Sequence, residues 1–181
     1  MLSILVKSQE FYDEQTQEFV YIKGQNLQLE HSLVSISKWE SKWKKPFLSS
    51  DYKKTNEEVL DYIRCMTITQ NVNPIIYYCL SSKNLKDIND YIDDSMTATW
   101  FNSNREKKRS REVLTSELIY FYMFSFRIPK ECEKWHLNRL ITLIQIFSIK
   151  NEPDKKMSKK AIMNRNRELN AQRRKSLGSK G

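Results

Sequence analysis

The stretch W-H-L-N-R-L-I-T-L-I-Q-I-F-S-I at residues 135–149 decides the predicted fold. On a helix, its apolar side chains cover most of the circumference, and a helix of that kind is buried on several sides. Pro129, Glu131 and Glu133 come just before it. The proline pre-sets the backbone of a first turn, and the carboxylates favour the positive end of a helix. We therefore predict a buried helix over residues 130–149 at the centre of the core.

Apolar segments earlier in the chain predict further helices around this one. Residues 118–126 are apolar almost all round and indicate a core helix or, as the less favoured alternative, a buried strand. Pro74 is expected in the first turn of another helix, and Ser82 is expected to cap the next one. The apolar stripe of that last helix consists of Leu85, Ile88, Tyr91 and Ile92.

Two capping boxes predict where other helices begin. In such a box a serine or threonine and a glutamate three residues later each satisfy a free backbone N–H group of the other. The box S-K-W-E that begins at Ser37 predicts a short helix over residues 38–45. This helix has to stop before Pro46, because proline disfavours a helical residue in front of it. The box T-N-E-E that begins at Thr55 predicts an amphipathic helix over residues 56–69.

Alternating apolar residues indicate β-strands near the N-terminus. Residues 2–6 show a weak period of two, and the apolar runs at 19–22 and 27–29 flank Gly24. These runs predict a β-hairpin that turns at Gly24. The acidic stretch at residues 13–18 is expected to be the exposed loop before it.

The overall composition favours helices. The chain contains only three glycines and four prolines, which argues against a turn-rich sandwich or barrel. The stretch M-T-A-T-W-F at 96–101 is β-branched and aromatic enough to predict one short strand, and residues 102–111 predict a polar, basic loop. The predicted fold class is α+β and mostly helical, with an N-terminal β-hairpin or small sheet packed on a helical core.

Positive charge is concentrated at the C-terminal end of the chain. Residues 1–153 contain 21 lysines and arginines against 20 acidic residues, whereas residues 154–181 contain 10 against 2. The latter segment has few apolar residues and no aromatic one, so it buries too little surface to offset the entropy of ordering. We predict a globular domain at 1–153 and a basic, partly helical or disordered tail at 154–181. Such a tail binds nucleic acid, an acidic protein or a membrane surface, and its sparse apolar residues argue against membrane insertion.

The sequence offers few groups for catalysis or metal binding. Its two histidines, His31 and His136, lie far apart, and the sequence contains no nucleophile elbow and no glycine-rich phosphate loop. The histidines and cysteines lack the spacings of metal ligands, and the acidic cluster at residues 87–94 lacks the glycine and terminal glutamate of a calcium loop. We predict packed or surface imidazoles, no metal, no cofactor and no enzymatic activity.

The cysteines and the hydropathy pattern predict a soluble, cytoplasmic protein. Cys65, Cys79 and Cys132 are odd in number and lie in apolar segments, so we expect reduced, buried thiols, as in a reducing cytoplasm. The N-terminus lacks the pattern of a secretory signal. The longest apolar run, at residues 118–124, is far shorter than the roughly 20 residues of a membrane span.

Trp39 and Trp43 share one face of the predicted short helix, beside several lysines. They either anchor this helix on the hairpin or form a protein-binding face, since tryptophan is frequent in interface hot spots. Stacking on single-stranded nucleic acid is the least favoured of the three interpretations. Together with the basic residues of the tail, they are the candidate partner-binding residues. The full set is Trp39, Trp43, Lys155, Lys156, Lys159, Lys160, Arg165, Arg167, Arg173, Arg174 and Lys175.

Five stretches of the chain carry a resemblance to known proteins. They are L-Q-L-E-H-S-L-V-S-I-S-K-W-E-S-K-W at 27–43, D-Y-I-R-C-M-T-I at 61–68, M-T-A-T-W-F at 96–101, I-P-K-E-C-E-K-W-H-L-N-R-L-I-T-L-I at 128–144 and R-E-L-N-A-Q-R-R at 167–174. These stretches resemble the tail assembly chaperone family of long-tailed, siphovirus-type bacteriophages. The resemblance covers most of the chain, including the tail, and consists of packing and surface patterns rather than a chemical signature.

The resemblance implies a non-enzymatic role in the cytoplasm of the infected bacterium. It implies binding of the long helical tape measure protein and recruitment of tail tube subunits, with self-association as a further expectation. Two alternatives stay open: a structural virion component, such as a connector or tail-completion protein, and a small phage nucleic-acid-binding protein that uses the basic tail. The second alternative predicts a steep salt dependence of binding. Nucleic acid is the less favoured partner, and no membrane partner is expected.

Overall fold

The chain begins with four β-strands and continues with helices in this computed structural model, which describes residues 1–13, 17–101, 113–151 and 159–178. The α+β, mostly helical fold class is confirmed. The strands are β1 (Leu2–Val6), β2 (Gln9–Asp13), β3 (Glu18–Ile22) and β4 (Gln25–Leu29). The helices are α1 (Leu33–Trp43), α2 (Asn56–Met66), α3 (Ser82–Asp93), α4 (Ser116–Ser125), α5 (Leu137–Asn151) and α6 (Lys159–Leu177), with 3₁₀ helices at Pro74–Cys79 and Lys130–Lys134.

The chain divides into two compact units, Met1–Phe147 and Ser148–Gly181. The first unit contains the hydrophobic core, and the second contains the end of α5 together with α6. The predicted boundary after residue 153 lies within 152–158, which is outside the described residues. Residues without any exposed surface come from the strands and from the helices that cover them. They include Val6, Leu27, Leu29, Leu33, Ile36, Leu137 and Leu140.

The four strands form one long two-stranded ribbon. β1 pairs antiparallel with β4, and β2 pairs antiparallel with β3 in the same register; Val6, for example, lies opposite Gln25. The chain therefore reverses between β2 and β3, and the predicted hairpin turn at Gly24 is wrong. A Cβ atom at Gly24 would lie 2.8 Å from backbone atoms of Ser8 and Val6. Glycine is needed there because two backbones approach closely, and not because the chain turns.

Helix α1 begins at Leu33, so the predicted start after Ser37 is wrong. Ser32 is the N-cap: its hydroxyl oxygen accepts the backbone N–H of Ser35, and the hydroxyl oxygen of Ser35 accepts the N–H of Ser32. This reciprocal pair is a capping box formed by two serines.

Glu40 has a tertiary role instead of the predicted capping role. Its buried carboxylate accepts the backbone N–H of Phe47 at 2.7 Å and that of Ser116 at 2.8 Å. Ser116 is the first residue of α4, so the two hydrogen bonds join α1 to the start of α4. The charge also lies at the positive end of that helix, which favours it.

The next helices begin close to the predicted points. Thr55 caps α2 in a capping box, as predicted, and α2 ends earlier than predicted, at Met66. The segment that begins at Pro74 is a 3₁₀ helix, and α3 is capped by Ser81 rather than by Ser82.

Residues 96–101 contain no strand, so the predicted short strand is wrong. β-propensity takes effect where side chains pack on cross-strand neighbours. Neither of the strand pairs in the described part of the chain includes this segment. Met96 has a positive φ of 48°, and Trp100 is 92% exposed. The basic loop predicted at 102–111 lies outside the described residues.

Helix α4 confirms the favoured prediction of a helix at residues 118–126, but only one of its sides is buried. Ile119 and Met123 face the core, whereas Phe121 and Phe124 are each 62% exposed.

The buried helix predicted over residues 130–149 is two elements. A 3₁₀ helix is followed by α5, and the backbone between them leaves the helical path because His136 forms a β-bridge with Ser32. The N–H of Leu137 then donates to the carbonyl of His31 at 2.8 Å. In α5 the fully buried side chains are those of Leu137 and Leu140, and Ile141, Leu143, Ile144 and Phe147 are partly buried and pack against the core. The helix is therefore less buried than predicted.

Candidate partner-binding surfaces

Trp39 is a core residue that joins α1 to α2. Its side chain is 0% exposed, and its indole N–H donates to the main-chain carbonyl of Glu58 at 2.9 Å. The ring packs edge-on against Phe47, with the ring centroids 5.1 Å apart. The predicted anchoring role applies to α2 rather than to the hairpin. A partner cannot reach this side chain in the folded state.

Trp43 is half-buried and stacks on Trp39, with the ring centroids 6.2 Å apart. Its indole N–H donates to one carboxylate oxygen of Asp61 at 2.8 Å, and the ammonium of Lys42 binds the other oxygen. Burial acts to raise the pKa of Asp61, but the hydrogen bonds from Lys42 and Trp43 outweigh it and hold that pKa below its usual value. Trp43 is therefore the more accessible tryptophan, although its polar edge is already used within the chain.

Lysines from the same chain lie against the aromatic rings beside the two tryptophans. The Nζ atom of Lys54 lies 4.3 Å from the ring centroid of Phe47 and 5.7 Å from that of Tyr52. Burial lowers the pKa of Lys54, against the effect of Glu58. Lys45 donates to Glu58 at 2.6 Å, and this hydrogen bond lowers the pKa of Glu58 and raises that of Lys45. Cation–π and ionic contacts within the chain thus already occupy this cluster.

The two histidines meet in the core, with their ring centroids 5.1 Å apart. The Nδ1 atom of His136 accepts the N–H of Asn138, so its Nε2–H donates to the carbonyl of Tyr91 at 2.9 Å. The Nδ1 atom of His31 forms a hydrogen bond with the hydroxyl of Tyr62. Burial, and next the proximity of His136, lower the pKa of His31 to about 3. Sequence reasoning missed this pair, because no local pattern brings two residues so far apart in the chain together.

The three cysteines are free thiols: Cys79 and Cys132 are buried, and Cys65 is half-buried. Burial raises the pKa of each thiol. Thiols of this kind are poor nucleophiles, because the thiolate is the reactive form.

One face of the outer half of the ribbon carries three exposed aromatic side chains. We call β2 and β3 together the arm. Tyr12 is 54% exposed, Phe19 69% and Tyr21 65%. Tyr12 lies opposite Phe19 with the ring centroids 5.2 Å apart, and Tyr21 follows Phe19 by two residues on the same strand face. On the other face, Ile22 is buried and Val20 packs against the core. A contiguous exposed apolar surface is typical of an interaction site.

The sequence pattern only partly revealed the arm. Apolar residues at 19–22 predicted a strand, but both of its faces carry apolar side chains, so the pattern could not tell which face is exposed. The predicted acidic loop at 13–18 is shorter in the structure, because Asp13 and Glu18 are paired strand residues. Residues 14–16 lie outside the described part of the chain.

A second exposed apolar pair lies on α4. Phe121 and Phe124 are three residues apart and share one face of the helix. Sequence reasoning assigned both residues to the core, since the segment is apolar almost all round.

The basic residues of the predicted tail lie largely on α6. From Lys159 to Leu177 the sequence has seven basic residues and one acidic residue, Glu168. Lys159 and Lys160 lie in its first turn, whereas Lys155 and Lys156 lie outside the described residues. The remaining candidates are exposed: Arg165, Arg167, Arg173, Arg174 and Lys175.

No group of three or more His, Cys, Asp or Glu side chains in the described part of the chain is placed to hold a metal ion. None of the described helices combines the length and the apolar content that crossing a bilayer requires. Comparison of the chain with models of known protein families, with curated proteins and with solved structures gave no match. Function is therefore inferred from the surfaces of the chain and from the resemblance in its sequence.

Proposed function

We propose that this chain is a non-enzymatic tail assembly chaperone of long-tailed bacteriophages. It binds the tape measure protein in the cytoplasm of the infected host and helps recruit tail tube subunits. The observation that supports this function most is the exposed aromatic face of the arm, Tyr12, Phe19 and Tyr21. A protein that holds an insoluble client needs apolar anchors on a folded domain, and aromatic side chains bury a large area each. The five resembling stretches of sequence supply the phage context.

The arm suits an elongated helical client. Its aromatic face covers two successive positions on one side of β3, about 7 Å apart, which is little more than one turn of an α-helix. An amphipathic client helix can lay its apolar stripe along the aromatic row, as helices do in hydrophobic grooves. Phe121 and Phe124 on α4 offer a second apolar contact of the same kind. The basic residues of α6 favour acidic stretches of the client.

Co-expression with the tape measure protein of the same phage genome tests this proposal. The full chain is expected to keep that protein soluble and to co-purify with it at moderate salt. A variant with Tyr12→Ser, Phe19→Ser and Tyr21→Ser is expected to lose most of the soluble client, because it removes the apolar contact. Tyr78→Ser is the matched control, since Tyr78 is an exposed aromatic residue outside the arm.

Two results would count against the proposal. One is a tape measure protein that stays insoluble beside the unaltered chain. The other is a triple variant that keeps as much client soluble as the Tyr78→Ser control. Finding the chain in purified virions would instead favour the alternative of a structural virion component.

Nucleic-acid binding is the second candidate function, and the excess of basic residues on α6 favours it. Binding of this kind weakens with salt, with a slope in the log–log plot of about −0.9 per duplex phosphate contacted. A full-length variant with Arg167, Arg173, Arg174 and Lys175 changed to glutamine is expected to lose DNA binding if this candidate is correct. If the same variant still keeps the client soluble, α6 is not needed for client holding.

A further inference from the structure

A groove of about 510 Å³ lies between β1 and the first turn of α3. Ser3 and Leu5 line it on the strand side, and Lys83 and Asn84 line it on the helix side. This groove lies within the first unit and is separate from the aromatic face of the arm.

The backbone of β1 presents unpaired groups to this groove. The carbonyl of Leu5 accepts a hydrogen bond from the side-chain amide of Asn84 at 3.3 Å, so it points away from β4. In an antiparallel strand the N–H and C=O of one residue point to the same side of the strand, and those of the residue two positions away point to that side as well. The N–H of Leu5 and both backbone groups of Ser3 therefore also face the groove. These three groups have no hydrogen-bond partner among the residues that the structure describes.

The charge around the groove is positive. Lys7 and Lys83 line it against one carboxylate, that of Asp87. The N–H of Asn84 is capped by the hydroxyl of Ser81, so the first turn of α3 adds the N–H groups of Ser82 and Lys83 and the positive end of the helix. An open strand edge takes an extended chain through main-chain hydrogen bonds, while the charge selects among such chains.

We propose that the open edge of β1 binds an extended, acidic segment of a partner protein, which adds as a third strand beside β1. The partner's backbone pairs with Ser3 and Leu5 and displaces the side-chain amide of Asn84, which lies 3.3 Å from the Leu5 carbonyl. Its carboxylates lie near Lys7, Lys83 and the start of α3. A third strand also adds stability, because a two-stranded ribbon alone is marginal. This site does not depend on the tape measure protein or on the aromatic face of the arm.

A labelled peptide of alternating glutamate and valine tests the site by fluorescence anisotropy with the full chain. Leu5→Pro removes the N–H that faces the groove and leaves the pairing of β1 with β4 intact, since proline is tolerated at a free strand edge. Leu5→Ala keeps the N–H and is the matched control. We expect the proline variant to bind the peptide at least about tenfold more weakly than the alanine variant.

A charge test stands beside the backbone test in case Leu5→Pro does not fold, as judged by circular dichroism and thermal melting. Lys83→Glu is expected to weaken peptide binding about fivefold or more, whereas Lys86→Glu, on the same helix but outside the groove lining, leaves it unchanged. A peptide with lysine in place of glutamate is expected not to bind.

Several outcomes would overturn the proposal. They are no binding of the acidic peptide, equal binding by Leu5→Pro and Leu5→Ala, equal effects of Lys83→Glu and Lys86→Glu, and equal binding of the lysine peptide. Light scattering on the unaltered chain tests whether a second copy of the chain occupies the edge of β1 instead. A dimer that Leu5→Pro abolishes would make a second copy, and not an acidic partner, the chain that covers β1.

Discussion

The imidazole rings of His31 and His136 lie against each other in the core, at a centroid distance of 5.1 Å and an interplanar angle of 61°. The hydroxyl of Tyr62 binds His31, and the carbonyl of Tyr91 binds His136. The Tyr91 hydroxyl in turn donates to Glu30 at 2.7 Å. A proton on His31 would therefore add a charge to a buried site that already contains a second imidazole.

We expect acid to destabilise the domain through His31. Its folded-state pKa is about 3, below the ordinary value of 6.5, so the unfolded chain takes up the proton first as the pH falls. The stability that neutral, buried His31 contributes to the folded state is fully present above about pH 6.5 and is lost progressively towards pH 3. By pH 5 the loss amounts to about 2 kcal/mol in the free energy of unfolding.

Urea denaturation at pH 7 and pH 5 measures this loss. His31→Asn keeps a hydrogen-bond acceptor near Tyr62 but does not titrate, so its stability should fall by less between the two pH values. A loss of the same size in the variant would show that other groups cause the acid sensitivity.

Glu40→Gln is expected to destabilise the domain by about 2 kcal/mol. The carboxylate accepts the backbone N–H groups of Phe47 and Ser116. An amide offers one oxygen for these two donors and turns its own NH₂ group towards the other. Chemical denaturation compares this variant with Glu57→Gln, an exposed change in the first turn of α2 that should stay within about 0.5 kcal/mol of the unaltered chain. Similar stabilities of the two variants would refute the role given to Glu40.

Gly24→Ala is expected to cost about 1–3 kcal/mol, because the added methyl group would overlap the facing backbone of the ribbon. The nearest atoms are the nitrogen of Ser8 and the carbonyl oxygen of Val6, both at 2.8 Å. Backbone atoms cannot move aside as the end of a flexible side chain can. Lys23→Ala, at the exposed neighbouring position, is the control. A melting temperature that is unchanged in Gly24→Ala would mean that the two backbones separate easily at this point.

Trp39→Phe is expected to lower the free energy of unfolding by about 2 kcal/mol more than Trp43→Phe does. Trp39 is fully buried and loses both volume and its hydrogen bond to Glu58, whereas Trp43 is half-buried. Trp43→Phe should raise the pKa of Asp61, since it removes one of the hydrogen bonds that favour the carboxylate. Parallel denaturation curves of the two variants provide the comparison. A larger loss of stability in Trp43→Phe would contradict the structural role given to Trp39.

Local signals predicted the parts of the fold that depend on neighbours in sequence. The box at Thr55 predicted the start of α2, because both members of a capping box belong to the same turn. The same reasoning failed at Ser37, since its partner Glu40 serves the distant backbone at Ser116. Ser32 and Ser35, which do cap α1, lack the glutamate that marks the usual pattern.

Long-range contacts explain what could not be predicted. The pairing of the four strands depends on the close approach at Gly24. A glycine between two apolar runs fits a hairpin turn and a close contact between two strands equally well, so the sequence does not distinguish them. The exposure of Phe121 depends on which face of α4 other elements cover, and its own segment is apolar on nearly every side. The aromatic face of the arm was hidden for a similar reason, because the core covers only one side of β3.

The two halves of the ribbon share one register, but their backbone hydrogen bonds are expected to open at different rates. The amide protons that pair β1 with β4 lie beside side chains without exposed surface, so they exchange slowly with deuterium and only through global unfolding. Of the described side chains of β2 and β3, Ile22 is buried and Val20 packs against the core, so local fraying can open these strands while β1 and β4 stay paired. The arm can thus reshape itself around a partner at little cost to the rest of the domain, and binding would be visible as slowed exchange confined to its strands.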